Sequence, residues 1–137
     1  ALAGAPGTTD DDLEWAEAIL RGVGLVVRVA EHQLDAVTGL TGSGPAYIFL
    51  VAEALMDAGV VAGLPRATAE RMVAQLLVGS SMLLSEQGDP SALRAMVTSP
   101  GGTTAAGVRV LEQRATRAAF IDAVMAATDR SRELGGH

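Results

Sequence analysis

Residues 45–58 read PAYIFLVAEALMDA and residues 65–86 read PRATAERMVAQLLVGSSMLLSE, and these two stretches decide the fold. Each opens with a proline, which is favoured in the first turn of a helix because its missing N–H is not needed there. The first stretch is apolar on nearly all sides and is expected to be buried from several directions. The second carries an apolar stripe with i, i+3/i+4 spacing. A pair of long, mainly apolar helices therefore forms the centre of the predicted domain.

Shorter helices flank this pair. Asp89 and Pro90 combine a capping side chain with a first-turn proline, which predicts a short helix to about residue 97. Further helices are predicted over residues 103–113 and 115–134, and over residues 10–21, where three aspartates suit the helix dipole. The predicted fold class is all-α.

Residues 24–30 (GLVVRVA) are the exception, because β-branched residues after turn-forming glycines predict a strand. A single strand cannot form a sheet, since its backbone groups would find no partners. Either this strand pairs with another chain, or the rest of its sheet lies outside these residues. We take the strand as a first indication that the 137 residues are part of a longer protein.

The composition excludes several classes of function. Hydrophobic residues make up 49% of the 137 residues but aromatic residues only 3%, which argues against base stacking and indicates a surface covered by a partner chain. The net charge of −6 argues against binding of a nucleic-acid backbone. All ten basic residues are arginine and cysteine is absent, so lysine and thiolate chemistry are excluded. The histidines are His32 and His137, and no nucleophile is spaced to use His32 as a general base.

Neither a targeting segment nor a membrane span is expected. The chain does not start with a basic segment followed by an apolar run. The longest apolar stretch, residues 46–52, is followed by Glu53 and Asp57 and is too short to cross a bilayer. The expected location is the cytoplasm.

Residues 98–104 (TSPGGTT) are the most informative segment for function. Gly101 and Gly102 allow the backbone to turn its amides toward one point, where the next helix begins. Such a site suits a carboxylate or a phosphate, and the hydroxyls of Ser99, Thr103 and Thr104 can donate to it. The competing interpretation is an ordinary turn in which a threonine caps the next helix.

Residues 40–47 (LTGSGPAY) also place glycines at a helix start. They predict a second anion site or a close helix crossing, with a tightly packed cap as the simpler alternative. They are not a dinucleotide fingerprint, because G-x-G-x-x-G would need a third glycine where Tyr47 stands.

Acidic residues on the first long helix raise the question of a metal site. Glu53 and Asp57 lie four residues apart and form a candidate ligand set with Glu31 or His32. A polar stripe on a buried helix explains them more simply, so no metal is expected.

Four segments together resemble pyrroline-5-carboxylate reductase. They are LTGSGPAY (40–47), EALMDAGVVAGLPR (53–66), VTSPGGTTAAGVRVLE (97–112) and DAVMAATDRSREL (122–134). The resemblance is to the second half of that enzyme. It implies that residues 1–35 are the end of a Rossmann-type nucleotide-binding domain and that residues 36–137 are a helical dimerisation and substrate-binding domain.

The resemblance implies reduction of 1-pyrroline-5-carboxylate to L-proline with NADPH or NADH, the last step of proline biosynthesis. It assigns the substrate carboxylate to Ser99, Gly101, Gly102, Thr103 and Thr104. Thr104 is also placed near the ring nitrogen as the catalytic residue, Glu86 is placed in the pocket lining, and Thr41, Ser43 and Gly44 are placed near the nicotinamide. It further implies a homodimer and, in some relatives, rings of dimers. The cofactor would be bound mainly by the missing Rossmann half, so these residues alone are expected to be inactive.

Two other functions fit the same residues. One is a non-catalytic helical homodimer that keeps the loop as a ligand-binding module. The other is a related reductase of a different cyclic imine, because the loop recognises a carboxylate and not a whole ring.

Overall fold

The computed structural model describes residues 1–136, so His137 lies outside the described residues. The helices are α1 (Asp10–Leu20), α2 (Leu34–Val37), α3 (Gly44–Val61), α4 (Arg66–Gln87), α5 (Pro90–Met96), α6 (Thr103–Gln113) and α7 (Thr116–Gly135). A 3₁₀ turn (Glu31–Gln33) precedes α2, and a π-turn (Thr38–Gly42) joins α2 to α3. The all-α fold predicted from the sequence is confirmed.

The chain forms two compact units. The first comprises residues 1–44 together with the end of the chain from Phe120, and the second comprises Pro45–Ala119. The first unit thus holds α1, α2, the π-turn and most of α7. The second holds α4, α5, α6 and almost all of α3.

The helix ends follow the capping residues in the sequence. The Thr9 hydroxyl accepts from the Asp12 amide at 3.2 Å, and the Asp12 carboxylate accepts from the Thr9 amide at 3.0 Å, which is a complete capping box for α1. The Asp89 carboxylate accepts from the amides of Ser91 and Ala92 and caps α5, as predicted. Gly88 ends α4 with a φ of 75°, a conformation that costs glycine little.

The second unit contains a close pairing of α3 with α4. A Cβ on Gly59 would lie 3.1 Å from the Cβ of Ala69. The glycine therefore allows the two helices to approach closely at this point. Ala52, Ala69 and Val73 are the buried apolar residues of the described chain. The interior of the single chain is therefore built from small side chains.

The prediction that α3 is buried from several directions is wrong for the single chain. Phe49 and Leu50 are 65% and 66% exposed, and Ala52 is the buried residue of this helix. Ile48 and Leu55 of the same helix are also exposed. Apolar area of this extent normally marks a surface that another molecule covers.

The strand predicted at residues 24–30 is also wrong. The described residues form one isolated parallel bridge, in which the Leu2 amide donates to the Val27 carbonyl and the Val29 amide donates to the Leu2 carbonyl, both at 2.9 Å. The pairing ends there because the chain turns at residues 5–8, where the Thr8 amide donates to the Ala5 carbonyl. The segment around Leu2, which pairs with residues 27–29, is therefore too short to form a β-ladder.

The helical structure between residues 31 and 43 was not predicted. Because helix continues through the π-turn, Glu31–Val61 is long enough to span a membrane, and its most apolar window of 18 residues has a mean hydropathy of 1.4. The expectation that the chain has no membrane span stays a prediction. Core helices meet the same test, so it does not by itself indicate a membrane.

Candidate functional site

The loop between α5 and α6 has the backbone that its two glycines predict. Gly101 adopts a φ of 70°, in the left-handed region where glycine is unstrained. The Gly102 amide then donates to the Ser99 carbonyl at 3.0 Å and closes a tight turn. A Cβ on Gly102 would lie 2.5 Å from the Ser99 Oγ, so this hydroxyl sits directly against the Gly102 backbone. The two glycines have different roles, one conformational and one steric.

The start of α6 has no side-chain cap. Gly102 is the N-cap residue and Thr103 is the first helical residue, so the alternative in which a threonine caps this helix is wrong. The first intrahelical bond at this end runs from the Ala106 amide to the Gly102 carbonyl at 3.2 Å. The amides that precede Ala106 in α6 point out of the helix end, where the helix dipole favours negative charge.

The hydroxyls at this helix start differ from their neighbours. Thr98 Oγ1 donates to the Arg94 carbonyl at 2.6 Å and Thr116 Oγ1 donates to the Leu111 carbonyl at 2.8 Å. Within residues 1–136, by contrast, the hydroxyls of Ser99, Thr103 and Thr104 have no hydrogen-bond partner. Three hydroxyls and a set of uncapped amides are thus available to one external anion.

An ion-pair network links the two helices that flank the loop. Arg94 in α5 contacts the Glu112 carboxylate of α6 at 3.3 Å, and Arg117 contacts the same carboxylate at 2.8 Å. Arg117 Nε also donates to both Glu112 oxygens, which holds the pKa of Glu112 below its ordinary value. One carboxylate offsets only one of the two arginine charges, so this network keeps a net positive charge.

Glu86 lies in the last turn of α4 and is exposed. Among the described residues, no hydrogen bond or ion pair joins it to the α5–α6 loop. Five of the predicted site residues therefore lie together on the α5–α6 loop and the start of α6: Ser99, Gly101, Gly102, Thr103 and Thr104. Glu86 forms no bond to them among the described residues.

The segment at residues 40–47 forms a continuous helical connection and not an open glycine loop. Thr41 lies in the π-turn, where its hydroxyl donates to the Val37 carbonyl at 2.9 Å. Ser43 follows the turn and Gly44 begins α3. The Ser43 amide donates to the Thr38 carbonyl within this connection, and a second anion site here stays a prediction.

A close helix crossing does occur next to this segment, at a glycine that the sequence analysis did not select. Gly39 is buried, and a Cβ there would lie 2.3 Å from the Thr128 Oγ1. The available signal was the spacing of Gly39 and Gly42, which puts two small residues on one side of a helical turn.

Metal-binding geometry is not found in the part of the chain that the structure describes, where no group of three potential ligands is close enough to hold an ion. Asp57 instead pairs with Arg66 at 2.7 Å. His32 lies in the 3₁₀ turn beside a cavity of about 830 Å³ that Asp35 and Ser131 also line.

The fold is a set of helices with exposed apolar faces, and the α5–α6 loop leads into a helix start without a side-chain cap. Residues 31–134 match the family described as pyrroline-5-carboxylate reductase dimerisation, and the chain belongs to this family.

Relatives and solved structures agree with this assignment. The chain is 51% identical to the pyrroline-5-carboxylate reductase of Synechocystis sp. over 136 residues, which cover 98% of this chain and 51% of the relative. It is 50% identical to the Corynebacterium melassecola reductase over 128 residues, covering 93% and 47% of the two chains. The chain thus spans about half the length of these curated relatives.

The structural similarity has the same extent. A pyrroline-5-carboxylate reductase from Coxiella burnetii matches with a TM-score of 0.91 and 42% identity, over 96% of this chain and 50% of that chain. The Plasmodium falciparum pyrroline carboxylate reductase, solved with NADP bound, matches with a TM-score of 0.83 and 32% identity over the same shares.

Proposed function

We propose that this chain is the dimerisation and substrate-binding half of a reductase that converts 1-pyrroline-5-carboxylate to L-proline. The observation that carries the proposal is the α5–α6 loop, whose uncapped amides and unpartnered hydroxyls form a receptor for one carboxylate. The family membership selects the substrate among carboxylates. The proposed domain boundary lies at residue 35, with residues 1–35 ending a nucleotide-binding domain and residues 36–137 forming the helical domain.

In this proposal the loop positions the substrate. The amides at the start of α6 and the hydroxyls of Ser99 and Thr103 hold the ring carboxylate, while Thr104 Oγ1 accepts from the N–H of the protonated ring nitrogen. Since Gly102 has no side chain, the carboxylate can reach the backbone beside Ser99. A protonated imine is already electrophilic, so positioning contributes more than a strong side-chain acid.

The chain holds part of the site for NADPH or NADH. Thr41, Ser43 and Gly44 would face the nicotinamide end, and of these the Ser43 hydroxyl is unpartnered among the described residues whereas the Thr41 hydroxyl is bonded to Val37. The dinucleotide supplies the hydride, and the Rossmann half supplies most of its binding. We infer no preference between the two cofactors, since the residues that would read the ribose belong to that half.

The proposed partner is a second copy of the same chain. Exposed apolar side chains on α3 and α4 are of the kind that a symmetric homodimer buries, and the matching family is defined by dimerisation. Association of dimers into larger rings, a cytoplasmic location, and the lack of nucleic-acid or membrane partners are further parts of the proposal. Sedimentation equilibrium tests the association, with the mass of a dimer, or of a whole number of dimers where rings form, as the expected result.

A chimera tests the enzymatic function. The N-terminal half of the Synechocystis reductase would be joined to this chain, and pyrroline-5-carboxylate-dependent NADPH oxidation would be measured for the purified protein. Activity in the chimera and none in the 137-residue chain is the expected result. A folded, dimeric but inactive chimera would favour the non-catalytic module. A larger kcat/KM with a six-membered cyclic imine would instead favour the related reductase.

A further inference from the structure

The π-turn Thr38–Gly42 is the least regular helical segment of the chain. The Ser43 amide donates to the Thr38 carbonyl at 2.9 Å, five residues back, so the turn is wider than an α-helical turn. Such turns are rare in proteins, and those that do occur are often found at functional sites. A neighbouring element must therefore hold this turn in place.

That element is α7, which meets the turn backbone to backbone at Gly39. A Cβ on Gly39 would lie 2.3 Å from Thr128 Oγ1, 2.8 Å from the Val124 carbonyl oxygen and 2.9 Å from the Thr128 amide nitrogen. Thr128 is only 2% exposed, and its hydroxyl donates to Val124 at 2.8 Å. Glycine is the one residue that fits here without moving α7.

A second contact, one turn away, joins α7 to α2, the helix that leads directly into the π-turn. Ser131 Oγ donates to Asp35 Oδ1 at 2.6 Å in a partly buried position. Asp35 precedes Gly39 by one turn, and Ser131 follows Thr128 by one turn. The two contacts fix both the position and the register of the π-turn against α7.

The hydroxyl at the end of this turn is available to an external group. Thr38 Oγ1 donates to the Leu34 carbonyl at 3.0 Å and Thr41 Oγ1 donates to Val37, so both are engaged by the backbone. Ser43 is half-buried, and its hydroxyl has no partner among residues 1–136. The Ser43 amide closes the π-turn, so its position depends directly on the geometry that Gly39 secures.

We propose that Gly39 is a positioning residue, whose contact with α7 fixes the π-turn and thereby places the Ser43 hydroxyl against the bound dinucleotide. This inference rests on the proposed function. It predicts that a change at Gly39 alters the hydride-transfer step through Ser43 and leaves carboxylate binding by the α5–α6 loop unchanged.

The test uses the chimera with four variants: Gly39→Ala, Ser43→Ala, the double variant and Gly42→Ala. Gly42→Ala is the matched control, because a Cβ there would meet Thr38 at ordinary distances of 3.7 and 4.0 Å. Gly39→Ala and Ser43→Ala are each expected to lower kcat about tenfold. The KM for the imine should stay within twofold, and Gly42→Ala should match the parent.

The double variant separates positioning from general structural damage. If Gly39 acts through Ser43, the kcat of the double variant is no lower than that of the less active single variant. The loss is then about tenfold and not a hundredfold. If the two single losses in kcat combine to about a hundredfold in the double variant, the inference is overturned. It is also overturned if the imine KM rises while the melting temperature falls.

Ser131→Ala keeps the test decisive if the Gly39→Ala chimera does not fold. It removes the second contact without introducing a clash and should lower kcat about threefold at an unchanged imine KM. Parent kinetics in Ser131→Ala would then count against the proposal. An active parent with unaltered Gly39→Ala or Ser43→Ala variants overturns this inference alone, whereas a folded but inactive parent overturns the proposed function and this inference with it.

Discussion

Thr104 differs from most threonines in this chain because the protein itself does not use its hydroxyl. Thr38, Thr41, Thr98, Thr116 and Thr128 each donate to a nearby backbone carbonyl. Thr104 is half-buried at the start of α6 and has no partner in the described part of the chain. A hydroxyl that contributes no internal bond is one whose removal should affect the ligand more than the fold.

Thr104→Ala should therefore lower kcat/KM for the imine in the chimera. Hydrogen bonds to charged groups contribute about 1.5–3 kcal/mol, which corresponds to roughly tenfold to a hundredfold. Thr98→Ala is the control, because its hydroxyl is bonded to Arg94 and lies outside the proposed receptor. Steady-state kinetics with Thr104→Ser, expected to retain most activity, would show that the hydroxyl is responsible. Equal effects of Thr104→Ala and Thr98→Ala would contradict the assignment.

Gly102 and Gly107 offer a matched comparison of two glycines in one loop-helix segment. A Cβ at Gly102 would lie 2.5 Å from Ser99 Oγ, whereas a Cβ at Gly107 would meet nothing within 4 Å. Gly102→Ala should displace Ser99 and raise the imine KM at least tenfold, and the bulkier Gly102→Val should block carboxylate access altogether. Gly107→Ala should leave KM unchanged. A normal KM in Gly102→Val would return the loop to a purely structural role.

Among the elements, the junctions around α4 and α7 show where the backbone is strained. Ala115, between α6 and α7, has a φ of 54°, the one non-glycine residue with positive φ among residues 1–136. Gly88, which ends α4, has a φ of 75°. The left-handed conformation is unstrained for the glycine at the end of α4 and strained for the alanine before α7.

Opposite effects on stability are expected from exchanging these residue types. Ala115→Gly should raise the free energy of unfolding by about 0.5–1 kcal/mol, because it removes the left-handed strain that alanine carries. Gly88→Ala should lower it by about 1 kcal/mol. Melting curves followed by circular dichroism measure both, and a destabilised Ala115→Gly variant would show that Ala115 is not strained.

The α5–α6 pair should also respond to acid through Glu112. Bonds from Arg117, together with the charges of Arg117 and Arg94, lower the pKa of this carboxyl in the folded chain. Its stabilising contribution is therefore present above the ordinary value of 4.5 and is lost as the pH falls through the lower folded value. Glu112→Gln should lower the melting temperature at pH 7 and lower it less at pH 3. An equal loss at both pH values would contradict an ionic contribution.

At the scale of the whole molecule, the sequence predicts what depends on local chemistry. Helix limits followed from capping residues such as Asp89, and the tight turn between α5 and α6 followed from Gly101 and Gly102, because caps and positive φ values are properties of a few adjacent residues. The resemblance located the family, which single-sequence periodicity did not.

What the sequence did not predict depends on distant partners. The π-turn is held by Gly39 against Thr128, about ninety residues away, and no local pattern records that contact. The strand at residues 24–30 has strand-like composition but finds only Leu2 as a partner. Burial of α3 was predicted from its apolar sequence, while exposure of Phe49 is set by which chains are present.

The small interior of Ala52, Ala69 and Val73 has a consequence for how stability should be compared. When most apolar area is covered only by a second copy, unfolding and dissociation are one equilibrium, and its midpoint shifts with dilution by mass action. We expect the melting temperature to rise with protein concentration and refolding to become second-order in dilute solution. A melting temperature for this chain, or for any variant of it, then has meaning only together with the concentration at which it was measured.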